Sequence, residues 1–331
     1  MRQAVGAGIL LWVAVFLPAF LFSRGEELSH PLGEEQRVNS TVEVSVSTDS
    51  DHTLRLWDEG EVREMSVEEY LQGVLRAEMG AAFHMEALKA QTVAERTYLY
   101  YQMGVGAKAA HPSAHVCTDP GCCTAYLSEA AAREKWGEVF TEHDEKIREA
   151  VAATDGKVMY YDGEPIMAVF HSSSAGVTAT SGEVWTADLP YLVSVESPEG
   201  ADTVPNYYSV STFTREEFRK KIAAAHPAAK LSGKTEAWIG DVVRSDTGRV
   251  ESVVIGGVAV TGQELRNLFS LRSTAFTVEE GEEITFRVTG YGHGVGMSQY
   301  GANTLAGEGK SWQEILRWYY TGITIDDYTG P

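Results

Sequence analysis

An amphipathic series that runs into an acid sets the first constraint on this chain. In Val67 to Met79 (VEEYLQGVLRAEM), Val67, Tyr70, Leu71, Val74 and Leu75 recur at three- and four-residue steps, and the next step is Glu78. That spacing predicts a helix with one apolar face, so a carboxylate is carried on the face that packs inward. The pattern Ser66-Val67-Glu68-Glu69 marks its start as a capping box, and Gly80 stands where a glycine closes a helix. Partial burial and the negative end of the helix dipole both raise the pKa of an acid so placed. A carboxyl still protonated near neutrality can serve as a general acid. The plainer alternative is an acid neutralised by a neighbouring Arg or Lys.

The chain has 331 residues, 44% of them hydrophobic, enough for one large core or two lobes. Ala4 to Phe22 is nearly unbroken apolar sequence without a charge, preceded by Arg2. Its length suits a membrane-spanning helix, so residues 1–25 read as a cytoplasmic tip and anchor. A cleaved signal peptide is the competing reading, since Pro18 and nearby small residues are compatible with processing; no clean small-x-small site precedes Ser23-Arg24-Gly25, which favours the anchor. Either reading places the bulk of the chain outside the cytoplasmic membrane. Residues 26–40 read as a polar stalk and 41–331 as the folded domain. The formal charge of −20 argues against nucleic acid and against an anionic membrane surface as partners. An anionic substrate would need local cations.

Alternation predicts strands at Thr41 to Val46 and Thr53 to Trp57, paired around the Thr48 to Asp51 turn. A second helix, Met85 to Met103, carries a small-residue face of Ala87, Ala90, Ala94 and Thr97. A loop from Gly104 to Tyr126 and a charged helical stretch from Ser128 to Thr154 follow. Val158 to Tyr161 and Ile166 to Phe170 read as a hairpin about Asp162-Gly163, and Ser172 to Thr186 as an exposed loop. Further on come helices at Thr214 to Ala225 (capped by Ser211 or Thr212), Thr261 to Phe269, Ser298 to Ala306 and Trp312 to Tyr320. Strands are expected at Asp241 to Arg244, Val250 to Ile255 and Glu283 to Val288. The order lacks the regular alternation of a parallel sheet, so the fold class is α+β: short mixed strands and helices in two lobes around a substrate groove, with an N-terminal transmembrane helix.

Three groups of residues have the makings of a site. Lys89, Gln91 and Arg96 follow Glu78 closely and could line a groove with it. His111, Cys117 and Cys123 stand in a loop with five residues between each successive pair, and the loop also holds His115, Asp119 and Cys122. Thiolates with an imidazole suit tetrahedral zinc; a disulfide from Cys117 to one of the adjacent cysteines is the alternative. Tyr291 to Ala302 (YGHGVGMSQYGA) is glycine-rich without the context of a nucleotide loop, and His293, Ser298, Gln299 and Tyr300 offer neutral hydrogen-bonding groups suited to carbohydrate. His171 adjoins Ser172, Ser173 and Ser174, but no GxSxG elbow supports a serine nucleophile.

The segments YLQGVLRAEMGAAFHMEALKAQTVAERTYLY, HSSSAGVTATSGEVWTADLPYLVSVESP, LRSTAFTV and GYGHGVGMSQYGANTLAGEGKSWQEILRWYYTGI closely resemble the stage II sporulation protein D family, part of a wider group that includes amidase enhancers. The resemblance covers about Ser40 to Ile325 in the same order. It implies a peptidoglycan lytic transglycosylase that cuts glycan strands stripped of their stem peptides during engulfment of the forespore, in the space between the mother cell and forespore membranes. It also implies Glu78 of the Ala77-Glu78-Met79 motif as the catalytic acid and a zinc site at His111, Cys117 and Cys123, chiefly structural, with Cys122 an extra thiol. The sporulation amidase P and the membrane protein M are the implied protein partners. Gly80, where the family commonly has proline, and Glu95, where alanine is usual, depart from its pattern. Glu95 is expected to pair with Lys89 or Arg96.

Glycoside hydrolysis ordinarily uses two carboxylates. Lytic transglycosylation needs one, because the attacking oxygen is the substrate's own C6 hydroxyl. Arg96, with Lys89, is expected to meet the lactyl carboxylates of a stripped strand, while Ser172, Ser173, His293, Ser298, Gln299 and Tyr300 orient its sugars. A non-catalytic wall-binding enhancer of a separate amidase is the competing reading, and a zinc-hydroxide hydrolase a third.

Overall fold

Leu54 and Leu56 point inward from β1 (Thr53–Asp58), which turns at Glu59-Gly60 into the antiparallel β2 (Glu61–Ser66). The computed structural model describes residues 48–185, 187–232 and 237–330, so the expected anchor, stalk and Thr41 to Val46 strand lie outside the described residues. Among the described residues, no helix is long and apolar enough to cross a membrane. Among the described residues β1 pairs antiparallel with β2 and, in parallel, with β3 (Val116–Cys117).

Helix α1 (Val67–Glu78) begins where the Ser66 side chain accepts the Glu69 N–H. It stops where Gly80 takes φ 66° and its N–H reaches the Leu75 carbonyl, a left-handed closure that favours glycine. Helix α2 (Met85–Val105) buries all four residues of its small-residue face. Without bulk on that face, α1, α4 (Phe140–Ala152), α8 (Gln299–Gly307), α9 (Trp312–Tyr319) and strand β4 (Lys157–Tyr161) can all pack against it. Helix α3 (Glu129–Trp136) leads through a 3-10 turn into α4, dividing the expected single helical stretch.

Asp162 and Gly163 both have positive φ, as a tight hairpin turn requires. The return strand is nevertheless brief: β5 (Glu164–Pro165) pairs with β4, whose other edge takes β14 (Thr324–Asp327). Phe170–His171 forms β6, parallel to β13 (Met297–Ser298), and this pairing draws the glycine-rich segment onto the serine loop. Gly296, with φ 71°, allows that approach, since any Cβ there would overlap the Val169 carbonyl. A single helical turn, α5 (Ser181–Val184), lies farther along the serine loop.

A second core forms around Phe218, Phe269, Phe276 and Phe286. It packs α6 (Arg215–Ala225) and α7 (Gly262–Phe269) against two sheets, β11-β12-β7 and β10-β9-β8. These strands are β7 (Tyr208–Thr214), β8 (Ile239–Arg244), β9 (Val250–Ile255), β10 (Val258–Thr261), β11 (Phe276–Glu280) and β12 (Glu283–Thr289). The cap of α6 is Thr214, in a reciprocal box with Glu217, rather than Ser211 or Thr212. Those two residues sit inside β7, paired with Phe286 and Thr285. The α+β class agrees with the sequence reading.

Candidate active site

Glu78 ends α1 in a pocket of about 340 Å³, within the usual range for small-ligand sites. Its Oε1 accepts the Ala125 N–H at 2.9 Å and its Oε2 the Gln299 amide at 3.3 Å. Burial raises its pKa, and those two hydrogen bonds offset part of the rise. Among the described residues no Arg or Lys is bonded to it, so the plainer reading of a neutralised acid does not describe its contacts.

Three of the residues expected to touch substrate line the same pocket: Ser172, His293 and Gln299. The β6–β13 pairing is what brings the first beside the other two. His293 accepts the Val295 N–H at Nδ1, which leaves a neutral ring its proton at Nε2. Burial, aided by the Arg266 charge, pushes its pKa down to about 4. At neutral pH it is therefore a hydrogen-bonding group and not a general acid. Tyr98, Tyr291 and His171 complete much of the polar wall.

The other expected contacts are corrected. Arg96 is fully buried, where Asp49 takes its Nε at 2.7 Å and its Nη2 at 2.5 Å, and the Lys157 carbonyl takes its Nη1 at 3.1 Å. It is a core ion pair and not a pocket cation. Lys89 pairs with Glu86 at 2.7 Å and does not line the pocket either. Glu95 pairs with neither: it accepts from Gln91 at 2.8 Å in full burial. Desolvation, and next the nearby Glu78 charge, hold it well above the carboxylate range. Ser173 is buried, its backbone bridged in both directions to Tyr291. Ser298 caps α8 and donates to the half-buried Glu199 carboxylate at 2.6 Å. Tyr300 packs its ring on Phe83 and does not line the pocket.

The cation that does line the pocket is Arg266 on α7. Sequence reasoning missed it because its helix reads as a surface element of the other core, 188 positions from Glu78 by number. Arg272 lies 4.2 Å over the ring of Tyr291, a pocket-lining residue that is 47% exposed. Glu199 was missed as well, since a lone Glu near a proline in a loop gives no signal that it will accept from Ser298 and from the Ser174 N–H.

One wall of the pocket is the cysteine loop, through Pro120, Cys123 and Thr124. All three cysteines are free thiols, and one ligand atom from each of His111, Cys117, Cys122 and Cys123 lies within 4.8 Å of the others. His111 is already oriented to ligate, since its Nδ1 is 3.2 Å from the Ala114 carbonyl and its Nε2 is 3.4 Å from Cys123 Sγ. Soft sulfur donors with one imidazole fit zinc, and no disulfide joins Cys117 to its neighbours.

The loop is docked on α1. Tyr70 Oη lies 2.9 Å from Thr124 Oγ1, the Tyr70 and Tyr126 rings stack, and Leu127 N–H donates to the Gly73 carbonyl at 3.0 Å. Gly73 has no Cβ to obstruct Tyr126, whose ring occupies that space. Gly73→Ala would improve helix propensity by about 1 kcal/mol but force out the ring, at a cost of about 1–3 kcal/mol. The expected result is a lower melting temperature and a weakened grip of Ala125 on Glu78, read by calorimetry and by faster amide exchange at Ala125.

Residues 58–161 match a family model described as Stage II sporulation protein. Stage II sporulation protein D of Bacillus subtilis (strain 168) is 37% identical over 268 residues, which are 80% of this chain and 76% of that protein. Its counterpart from Bacillus amyloliquefaciens is 34% identical over 310 residues, 92% of this chain and 86% of the relative. An amidase enhancer of Bacillus subtilis (strain 168) is 29% identical over 310 residues, 78% of this chain and 40% of the enhancer. With identity at this level along most of both chains, the protein belongs to the stage II sporulation protein D family.

Proposed function

We propose that the chain is a membrane-anchored lytic transglycosylase that cleaves peptide-stripped glycan strands of peptidoglycan during forespore engulfment. The observation that carries this reading is the solitary acid: Glu78 is the one carboxylate among the described residues lining its pocket, and burial favours its protonated form. Protonated Glu78 donates to the leaving glycosidic oxygen. The carboxylate left behind accepts the proton of the C6 hydroxyl as that oxygen attacks C1, closing a 1,6-anhydro ring. Oε2, whose bond to Gln299 is the longer, is the oxygen better placed to exchange a proton. His293 and Ser172 orient hydroxyls, and the exposed face of Tyr291 suits the apolar face of a sugar ring.

In this reading His111, Cys117 and Cys123 are ligands of zinc. Zinc, when bound, cross-links the loop whose Ala125 N–H holds Glu78. The folded domain works outside the cytoplasm, between the mother cell and forespore membranes, with the sporulation amidase P and the membrane protein M as partners by family resemblance.

Product analysis by mass spectrometry, after incubation with peptide-free glycan, tests the reading. Anhydro-muramic ends support it, and reducing muramic ends would point instead to hydrolysis. A chain that binds glycan without cutting it would favour the second reading, a wall-binding enhancer, for which the likeness to an amidase enhancer speaks.

Arg266 is assigned to the lactyl carboxylate that a stripped strand exposes, since the protein's overall charge repels such a group. Arg266→Gln should raise KM for stripped glycan about tenfold, as loss of a charge-assisted hydrogen bond predicts. KM for a chitin oligosaccharide, which lacks the lactyl group, should not change.

A further inference from the structure

We propose that Cys122 is a fourth metal ligand, which makes the cysteine loop a closed zinc site of one histidine and three cysteines, with no position left for water. This rests on the reading of His111, Cys117 and Cys123 as zinc ligands and extends it. Bonds of about 2.3 Å to sulfur and 2.0–2.1 Å to nitrogen set the donor atoms of tetrahedral zinc about 3.5–3.8 Å apart. The four donor atoms here all fall within 4.8 Å of one another, and Cys123 Sγ is already 3.4 Å from His111 Nε2. Closing around an ion therefore asks for movements of about 1 Å.

The backbone explains how adjacent cysteines reach one place. The Asp119 carbonyl accepts the N–H of both Cys122, at 3.0 Å, and Cys123, at 2.8 Å, which coils the chain back toward Cys117. Other donors in the loop are engaged elsewhere. His115 Nδ1 accepts the Arg55 N–H at 3.1 Å, and the Asp119 carboxylate accepts the Gly121 N–H at 2.8 Å.

Charge gives an independent argument. Zinc with two thiolates and an imidazole is neutral, whereas a third thiolate leaves one negative charge. Lys108 is placed to balance it: its Nζ lies 3.4 Å from Cys123 Sγ and also donates to the Cys122 carbonyl and to Tyr98 Oη. A saturated zinc cannot carry a hydroxide, so the chemistry of the pocket falls to Glu78.

The full-length chain, purified in detergent under reducing, oxygen-free conditions and loaded with cobalt(II), provides the experiment. Thiolate-to-cobalt charge transfer grows with the number of bound thiolates. Cys122→Ser should keep one cobalt per chain and lose about one third of that absorption, as one of three sulfur ligands departs. Unchanged absorption in Cys122→Ser would overturn the proposal and leave the two-cysteine site standing. X-ray absorption of the zinc-loaded wild type needs no variant: three sulfurs are expected, and two would overturn the proposal. A wild-type chain with no bound metal would overturn the two-cysteine reading too, and metal content per chain separates that failure from the other.

Discussion

Glu78→Gln is expected to cut turnover of peptide-stripped glycan by about 10²- to 10⁴-fold, the usual contribution of a general acid, while the protein stays folded. The amide keeps the shape of the carboxyl and can still accept the Ala125 N–H, so the α1 end and the loop keep their contact. What it loses is the transferable proton. The pH profile gives the same assignment a signature. Burial raises the Glu78 pKa, and the group works as donor only when protonated. kcat/KM should therefore be level below that raised pKa and fall about tenfold per pH unit above it. Glu95, which burial and next the Glu78 charge push upward, does not line the pocket, so Glu78 is the one carboxyl among its described lining residues. In Glu78→Gln the falling limb should vanish along with the rate. A variant that keeps wild-type turnover, or a wild-type rate that climbs through this range, would remove Glu78 from the chemistry.

Residues whose role is local were legible in the sequence. The α1 periodicity, the Ser66 cap and the Gly80 closure needed only neighbours along the chain, and each has its expected place. The His and Cys spacing was legible for the same reason, because one loop supplies every donor. Pocket membership was not, since it depends on which distant strands pair. Ser172 and Ser173 are adjacent and chemically identical, yet alternation along the chain turns one to the pocket and buries the other. Ser298 and Gln299 differ likewise: the first is consumed as a helix cap, and the second reaches Glu78 from the first turn of the same helix. Strand β7 was invisible because its exposed positions mix Tyr208, Val210, Thr212 and Thr214 without clean polar alternation. Arg266 belongs to the second core, and only the packing of the two cores makes it a neighbour of Glu78.

Asp49→Asn should lower stability by about 3–5 kcal/mol, a large part of the roughly 5–15 kcal/mol that separates a native domain from its unfolded chain. Proximity in sequence suggested that Arg96 serves the groove, but its guanidinium is fully buried and forked onto Asp49. The carboxylate cancels the charge, and the Lys157 carbonyl takes a further N–H, tying the segment before β1 to α2 and β4. Asparagine keeps the size and removes the charge, so a bare guanidinium is left out of water. Arg96→Lys should also destabilise, because a single ammonium cannot match the two-pronged contact. Replacing both partners by Leu and Met should cost less than Asp49→Asn alone, since no uncompensated ion remains. Chemical denaturation measures all four proteins on one scale. Turnover per folded molecule should stay near wild type in the double variant. If that variant is stable and yet loses its affinity for stripped glycan, Arg96 belongs to the groove after all.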